Sequence, residues 1–180
     1  GISDEDARNY AIVGCVELTT MGNNLGWSDA AMFNLVKALE LALNDGVCTL
    51  TGKQMGAHTG TLKDFDKYED VIAALNTQVD FFFERMIRCC EVVERAHAEL
   101  LPSPFLTSVI DDCMEAGIDV TAGGAHYNLS GIQAIQCANI ADSLAALKTL
   151  VYDEKIVDRA ELHTALVHNF ENAELLRLRM

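Results

Sequence analysis

Basic residues are scarce in this chain: 13 Lys and Arg stand against 27 Asp and Glu, for a formal charge of −14 at pH 7. Phosphate contact needs clustered Lys and Arg, so the charge argues against nucleic-acid binding. The acidic excess is spread along the chain, as a solvated surface would have it, and not gathered into a tail. There are only two prolines, Pro102 and Pro104, and no repeat, low-complexity tract or linker. One segment of one domain over residues 1–180 is therefore expected. No apolar run approaches the roughly 18 residues of a membrane-spanning helix. Six cysteines come without a signal peptide, paired spacing or a Cys-x-x-Cys motif, which points to a reducing, cytoplasmic setting. The five histidines are scattered. A structural zinc or iron-sulfur site needs tighter grouping, so no metal ligands are assigned. His163 and His168 miss the i, i+4 spacing of a paired metal site.

What is present is mostly helical periodicity. Met32, Leu35, Val36, Leu39 and Leu43 share a helical face that Asn44-Asp45-Gly46 ends. Residues 47–65 read as loop, with one short strand near Val47 to Leu50. The longest helix carries Val71, Ile72, Leu75, Val79, Phe82, Phe83, Met86, Cys90 and Val93 at 3.6-residue spacing, an apolar stripe expected in the core, until Pro102 approaches. The adjacent Cys89-Cys90 on it is read as packing. Ser103-Pro104 suits the start of a helix carrying Phe105, Val109, Ile110 and a buried Cys113, which Gly117 ends. Ile140, Leu144, Leu147 and Val151 mark a further helix, and Asp158-Arg159-Ala160-Glu161 a cap for the last.

The chemically informative segment is Gly14-Cys15-Val16-Glu17, entered from apolar Ala11-Ile12-Val13 and followed by a polar, glycine-broken stretch from Thr19 to Gly26. In an extended segment residues i and i+2 point to one side. The Cys15 thiol and Glu17 carboxylate would then face one substrate together, one suited to a hydrogen atom and the other to a proton. Against this stands a cysteine that is only a small buried hydrophobe.

Two further segments accompany it: Gly22-Asn23-Asn24-Leu25-Gly26-Trp27-Ser28-Asp29-Ala30-Ala31, and Thr121-Ala122-Gly123-Gly124-Ala125-His126-Tyr127-Asn128-Leu129-Ser130-Gly131. The latter precedes the helix Ala141-Asp142-Ser143-Leu144-Ala145-Ala146-Leu147-Lys148. Together, over essentially the whole chain, they resemble the glycyl radical enzymes of the pyruvate formate-lyase-like superfamily. The resemblance implies an α/β fold: a mostly helical segment of a ten-stranded α/β barrel, with a few short strands and a catalytic cysteine loop. Gly-Cys-Val-Glu is the form of the eliminating and decarboxylating branches, whereas pyruvate formate-lyase has two adjacent cysteines in this loop. Diol, glycerol and choline lyases usually read Gly-Cys-Val-Glu-Pro and Gly-Trp-His-Asp-Ala-Ala. Leu18 and Ser28 depart from that pattern, which suggests a neighbouring branch similar to proteins labelled formate acetyltransferase 2 or 3 or probable dehydratase.

The resemblance implies that Cys15 carries a thiyl radical and Glu17 acts as general base in a lyase or dehydratase acting on a small hydroxylated substrate. Formate acetyltransferase-like or decarboxylating chemistry is the alternative within the family, and a non-catalytic helical domain the alternative outside it. Asp29 matches an aspartate that holds a substrate hydroxyl, and equally suits an N-cap for a helix beginning near Ala30. The glycine doublet either brings Tyr127 or Asn128 to the substrate or forms a plain turn. His126 reads as a structural hydrogen-bonding residue rather than a catalyst. A radical-storing glycine, installed by a radical-SAM activating enzyme, would lie in a C-terminal Arg-Val-x-Gly-Tyr/Phe loop that is absent here. The chain begins at Gly1 and stops in mid-pattern at Met180, so it reads as a central-to-late barrel segment, inactive alone, of a protein that is commonly a homodimer.

Overall fold

A computed structural model describes residues 1–25 and 27–180. The chain forms two compact units, Gly1–Phe33 with Met86–Gln133, and Asn34–Arg85 with Ala134–Met180.

The first unit opens with helix α1 (Asp4–Arg8), whose N-cap Ser3 accepts from the Asp6 N–H. Strands β1 (Tyr10–Val13) and β2 (Glu17–Thr20) follow as an antiparallel hairpin, with Val13 opposite Glu17. That register leaves only Gly14-Cys15-Val16 to make the turn. Strand β3 (Asn24–Asn34) pairs with β4 (Tyr127–Ile135) in a second two-stranded sheet. Asp29 therefore lies on a strand. The next helix starts at Leu35 with Asn34 as its N-cap, so the capping role considered for Asp29 is filled by another residue. Met32 likewise falls on β3 and is exposed.

The single helix expected after Ser103-Pro104 is two short ones, α4 (Pro104–Thr107) and α5 (Cys113–Ala116). Asp112 breaks the path between them with a left-handed backbone at φ 72°. Cys113 is fully buried, as expected, in a small core with Val120 and Ala125, against which Leu25 and Ile110 pack. Asp119 anchors this region. Its carboxylate accepts from the Ser103 and Thr121 N–H groups and from the Thr107 and Thr121 hydroxyls. The Thr121 hydroxyl and N–H are the largest influences that pull its pKa down to about 2.

In the second unit, α2 (Leu35–Leu43) buries Ala38, Leu39, Leu41, Ala42 and Leu43 and ends, as the sequence indicated, at Asn44-Asp45-Gly46. Helix α6 (Cys137–Ala146) packs on it and runs directly into a π-helical segment, Leu147–Asp153. Helix α7 (Arg159–Val167) starts at Asp158, which accepts from the Ala160 and Glu161 N–H groups at 2.9 Å. Helix α8 (Glu174–Arg179) completes the chain. The loop after α2 has isolated bridges, Val47 to Gln54 and Asn44 to Thr61, in place of the short strand expected near Val47.

Helix α3 (Tyr68–Leu100) contributes residues to both units. Its buried positions are Val71, Ala74, Leu75 and Gln78. Beyond Gln78 the stripe expected to be core is half-buried at Val79, Phe82, Met86 and Cys90 and exposed at Phe83 and Val93, and Cys89, read as packing, is exposed. Periodicity identifies an apolar face but does not supply the partner that covers it. Gln78 is fully buried and ties α3 to the preceding loop. Its Oε1 accepts from the Ala57 N–H at 3.0 Å, and its Nε2 donates to the Ala57 carbonyl at 2.7 Å and the Thr59 hydroxyl at 3.1 Å. Gln78→Leu would leave two backbone groups unpaired at about 1–3 kcal/mol each. A loss of roughly 2–6 kcal/mol is expected in urea unfolding of variant and wild type.

Candidate active site

The tip of the β1–β2 hairpin is built around the Glu17 side chain. Its Oε2 turns back to accept from the N–H groups of Cys15, at 2.8 Å, and Val16, at 3.0 Å. A left-handed Gly14, at φ 61°, permits this. A Cβ there would be strained and would sit 2.7 Å from Glu17 Oε2. Cys15 is thus at a turn, not in an extended run, and shares a tip with Glu17 through this backbone link rather than through i, i+2 alternation. Within this chain Cys15 is exposed and free.

The other Glu17 oxygen, Oε1, accepts from Nε2 of Gln133 on β4. Every partner of this carboxylate is therefore a donor. Its pKa is lowered, most by the N–H of Glu17 itself, then by those of Val16 and Cys15. These bonds favour the ionised side chain.

Around the hairpin, Asp6 acts as a hub. Its carboxylate accepts from the Ser3 hydroxyl at 2.6 Å, the Tyr127 hydroxyl at 2.8 Å and the Asn23 side-chain amide at 2.9 Å. These bonds, the Ser3 one foremost, lower its pKa. Tyr127 is accordingly held to α1, and its N–H donates to the Asn23 carbonyl at 2.9 Å. Asn128 turns its amide onto the Ala125 carbonyl at 2.8 Å and the Gly123 carbonyl at 3.3 Å. Gly123 has φ 88°, and a Cβ on Gly124 would lie 2.2 Å from the Ile118 carbonyl oxygen, so the doublet makes a tightly packed turn. His126 meets the Asp112 carboxylate at 2.7 Å, a structural contact of the kind the sequence favoured. Asp29 is exposed on β3, and among the described residues its side chain has no hydrogen-bond partner.

The structure thus joins Cys15 to Glu17, leaves Tyr127 and Asn128 on separate contacts, and leaves the Asp29 side chain without a hydrogen bond among the described residues. Asn128 lines a cavity of about 360 Å³ with Trp27, Glu94, Arg95 and Ser130. A second cavity of about 400 Å³, in the other unit, lies among Leu39, Glu40, Asn44, Ser143, His163 and Phe170. Neither includes Cys15 or Glu17. The contacts of Gln133 and Asp6 were not read from the sequence; the first depends on β4 approaching the hairpin, the second on Asn23 and Tyr127 meeting α1. Among the described residues no group of three or more His, Cys, Asp or Glu is placed to hold a metal ion.

The sequence profile of the pyruvate formate lyase-like family matches residues 1–180. The chain belongs to that family. It is 40% identical over 176 residues to a (2S)-3-sulfopropanediol dehydratase of Klebsiella oxytoca, an alignment covering 98% of this chain and 21% of that protein. To a trans-4-hydroxy-L-proline dehydratase of Clostridioides difficile it is 36% identical, with 98% and 22% covered. Among solved structures, the glycerol-bound B12-independent glycerol dehydratase of Clostridium butyricum superposes with a TM-score of 0.94 at 38% identity, over 99% of this chain and 22% of that one. The fold is accordingly a segment of a glycyl radical enzyme α/β barrel. The chain spans about a fifth of the length of these relatives. No helix of the described residues is long and apolar enough to cross a membrane.

Proposed function

We propose that this chain supplies the hydrogen-abstracting cysteine and the general base of a glycyl radical dehydratase or related C–O or C–N lyase. The observation that carries the reading is the hairpin tip: an exposed Cys15 whose backbone N–H bonds the Glu17 carboxylate at 2.8 Å, with that carboxylate favoured in its ionised form. A glycyl radical, formed outside these residues by a radical-SAM activating enzyme, would supply the unpaired electron. An unshared sulfur at an exposed turn suits such a relay, because among the described residues no hydrogen bond holds the Cys15 thiol.

Cys15 as a thiyl would take a hydrogen atom from a substrate carbon bearing a hydroxyl, becoming a thiol and leaving a carbon radical. An S–H bond is comparable in strength to an activated C–H bond, so this transfer is reversible. Glu17 would accept the hydroxyl proton. The deprotonated carbon radical then expels the neighbouring leaving group with its bonding pair, and the Cys15 thiol returns a hydrogen atom to the product radical, regenerating the thiyl. Asp29 would hold a substrate hydroxyl, and the Asn128 side chain would border the cavity at Trp27. The single loop cysteine weighs against acyl transfer, which needs a second sulfur. The whole enzyme, expected to be a cytoplasmic homodimer, would act on a small hydroxylated molecule. This segment alone would be inactive.

The relatives and structural neighbours set the substrates to try. Full-length protein, activated anaerobically, is expected to dehydrate at least one of propane-1,2-diol, glycerol, (2S)-3-sulfopropanediol and trans-4-hydroxy-L-proline. Loss of substrate with appearance of an aldehyde or imine, read by mass spectrometry, is the check. A radical-bearing enzyme that leaves all four untouched would count against the dehydratase reading.

A further inference from the structure

We propose that Gln133 is a positioning residue that sets where the Glu17 carboxylate points and how readily it takes a proton. The inference rests on Glu17 as the base, the reading given above. One Glu17 oxygen is bonded by the N–H groups of Cys15 and Val16, so it is committed to holding the turn. The other oxygen is bonded by Gln133 Nε2 and by no other described side chain. Gln133 thus bonds the oxygen left to face a substrate hydroxyl. A neutral amide is the right group for that place. It orients a carboxylate by donating to it and, unlike Lys or Arg, does not neutralise it.

Gln133 also joins two segments that the chain separates by 116 residues. The hairpin tip carries the thiol and β4 carries the amide, so this bond ties the position of Cys15, through Glu17, to the β3–β4 sheet. The other titratable groups on the surrounding elements are Tyr10 on β1, Cys15 at the turn, Asp29 on β3 and Tyr127 on β4, whose hydroxyl donates to Asp6. Glu91, Glu94 and Arg95 on α3 line the cavity at Trp27 and Ser130. Of all these, only Cys15 contacts the Glu17 carboxylate, and it does so through its backbone N–H.

A donor to a carboxylate favours the ionised form. The Glu17 pKa is already lowered by the N–H groups of Glu17, Val16 and Cys15; by the same rule, losing the Gln133 donor is expected to disfavour the ionised form, and the acid limb of kcat/KM to move to higher pH. The test uses the full-length, activated enzyme and two variants. Gln133→Met keeps the size of the side chain and removes the donor. Gln133→Glu keeps shape and polarity but sets a second carboxylate against Glu17. The acid limb is expected to rise by about one pH unit in Gln133→Met and further in Gln133→Glu. kcat should fall at least about tenfold in both while KM changes little.

Millisecond hydrogen exchange on the unactivated protein gives a readout independent of substrate. The Cys15 and Val16 amides should exchange several-fold faster in both variants, with the remainder of the hairpin unchanged. Wild-type pH limbs, or wild-type exchange at those two amides, would overturn the proposal. Glu17→Gln assayed in parallel separates the two ideas. If that variant turns over normally, the base itself is misassigned and Gln133 falls with it. If it is inactive while both Gln133 variants match wild type, only the positioning role is wrong.

Discussion

Cys15→Ser in the full-length enzyme is expected to abolish turnover while leaving the stored glycyl radical intact. The substitution exchanges sulfur for oxygen at an exposed turn position, so no core packing is lost. The backbone N–H that Glu17 accepts is retained, and the tip should keep its shape. What changes is bond strength. An O–H bond is far stronger than an S–H bond, so the spin cannot move onto serine, and no group is left to take the substrate hydrogen. A fall of at least about five orders of magnitude in kcat, some 7 kcal/mol of barrier, is expected. Anaerobic turnover assays with paramagnetic resonance on the same samples are the check. Wild-type turnover in the serine variant would leave Cys15 as an ordinary surface thiol.

Glu17→Gln carries the second large effect, with a different signature. The amide oxygen can still accept from the Cys15 and Val16 N–H groups, so the turn has a substitute for one of its two functions. It cannot take a proton. Loss of a general base costs about 10² to 10⁴ in rate. The fall should appear in kcat, with the radical signal retained and hydrogen abstraction preserved. With a substrate deuterated at the abstracted carbon, the variant should exchange deuterium into Cys15 without eliminating. If Glu17 is the base, the acid limb of the pH profile belongs to it, and its pKa is lowered by its hydrogen bonds. Activity is thus lost as pH falls through that lowered value in wild type, and that limb should vanish in the variant. An unchanged profile would assign the base elsewhere.

The pair itself was legible from Gly14 to Glu17, but its geometry was not. Alternation along an extended chain suggested two side chains facing one way. The register placing Val13 opposite Glu17 instead compresses Gly14, Cys15 and Val16 into a turn. That register depends on strand pairing, which no single segment encodes. For the same reason Ala30 to Phe33, reasonable helix residues by propensity, lie on β3, where pairing with β4 overrides local preference. Where the signal is local the sequence placed element ends: Asp158 caps α7, though α7 is not the last helix as expected because α8 follows it, and Gly46 follows the end of α2.

Helix α3 shows the other limit. Its periodicity ran correctly to the approach of Pro102, yet only Val71 to Gln78 is buried within this chain. A hydrophobic stripe states what a helix can bury, not what is there to cover it. Gln133 was illegible for a further reason. A glutamine on a strand is unremarkable until the strand is known to pass a carboxylate 116 residues away.

The most direct test of the central claim is electron paramagnetic resonance on the full-length protein, incubated anaerobically with its activating enzyme and S-adenosylmethionine. The account predicts a glycyl doublet that forms in wild type and in Cys15→Ser alike, with turnover only in the former. No doublet in wild type, from an activating enzyme shown to cleave S-adenosylmethionine under the same conditions, would contradict it.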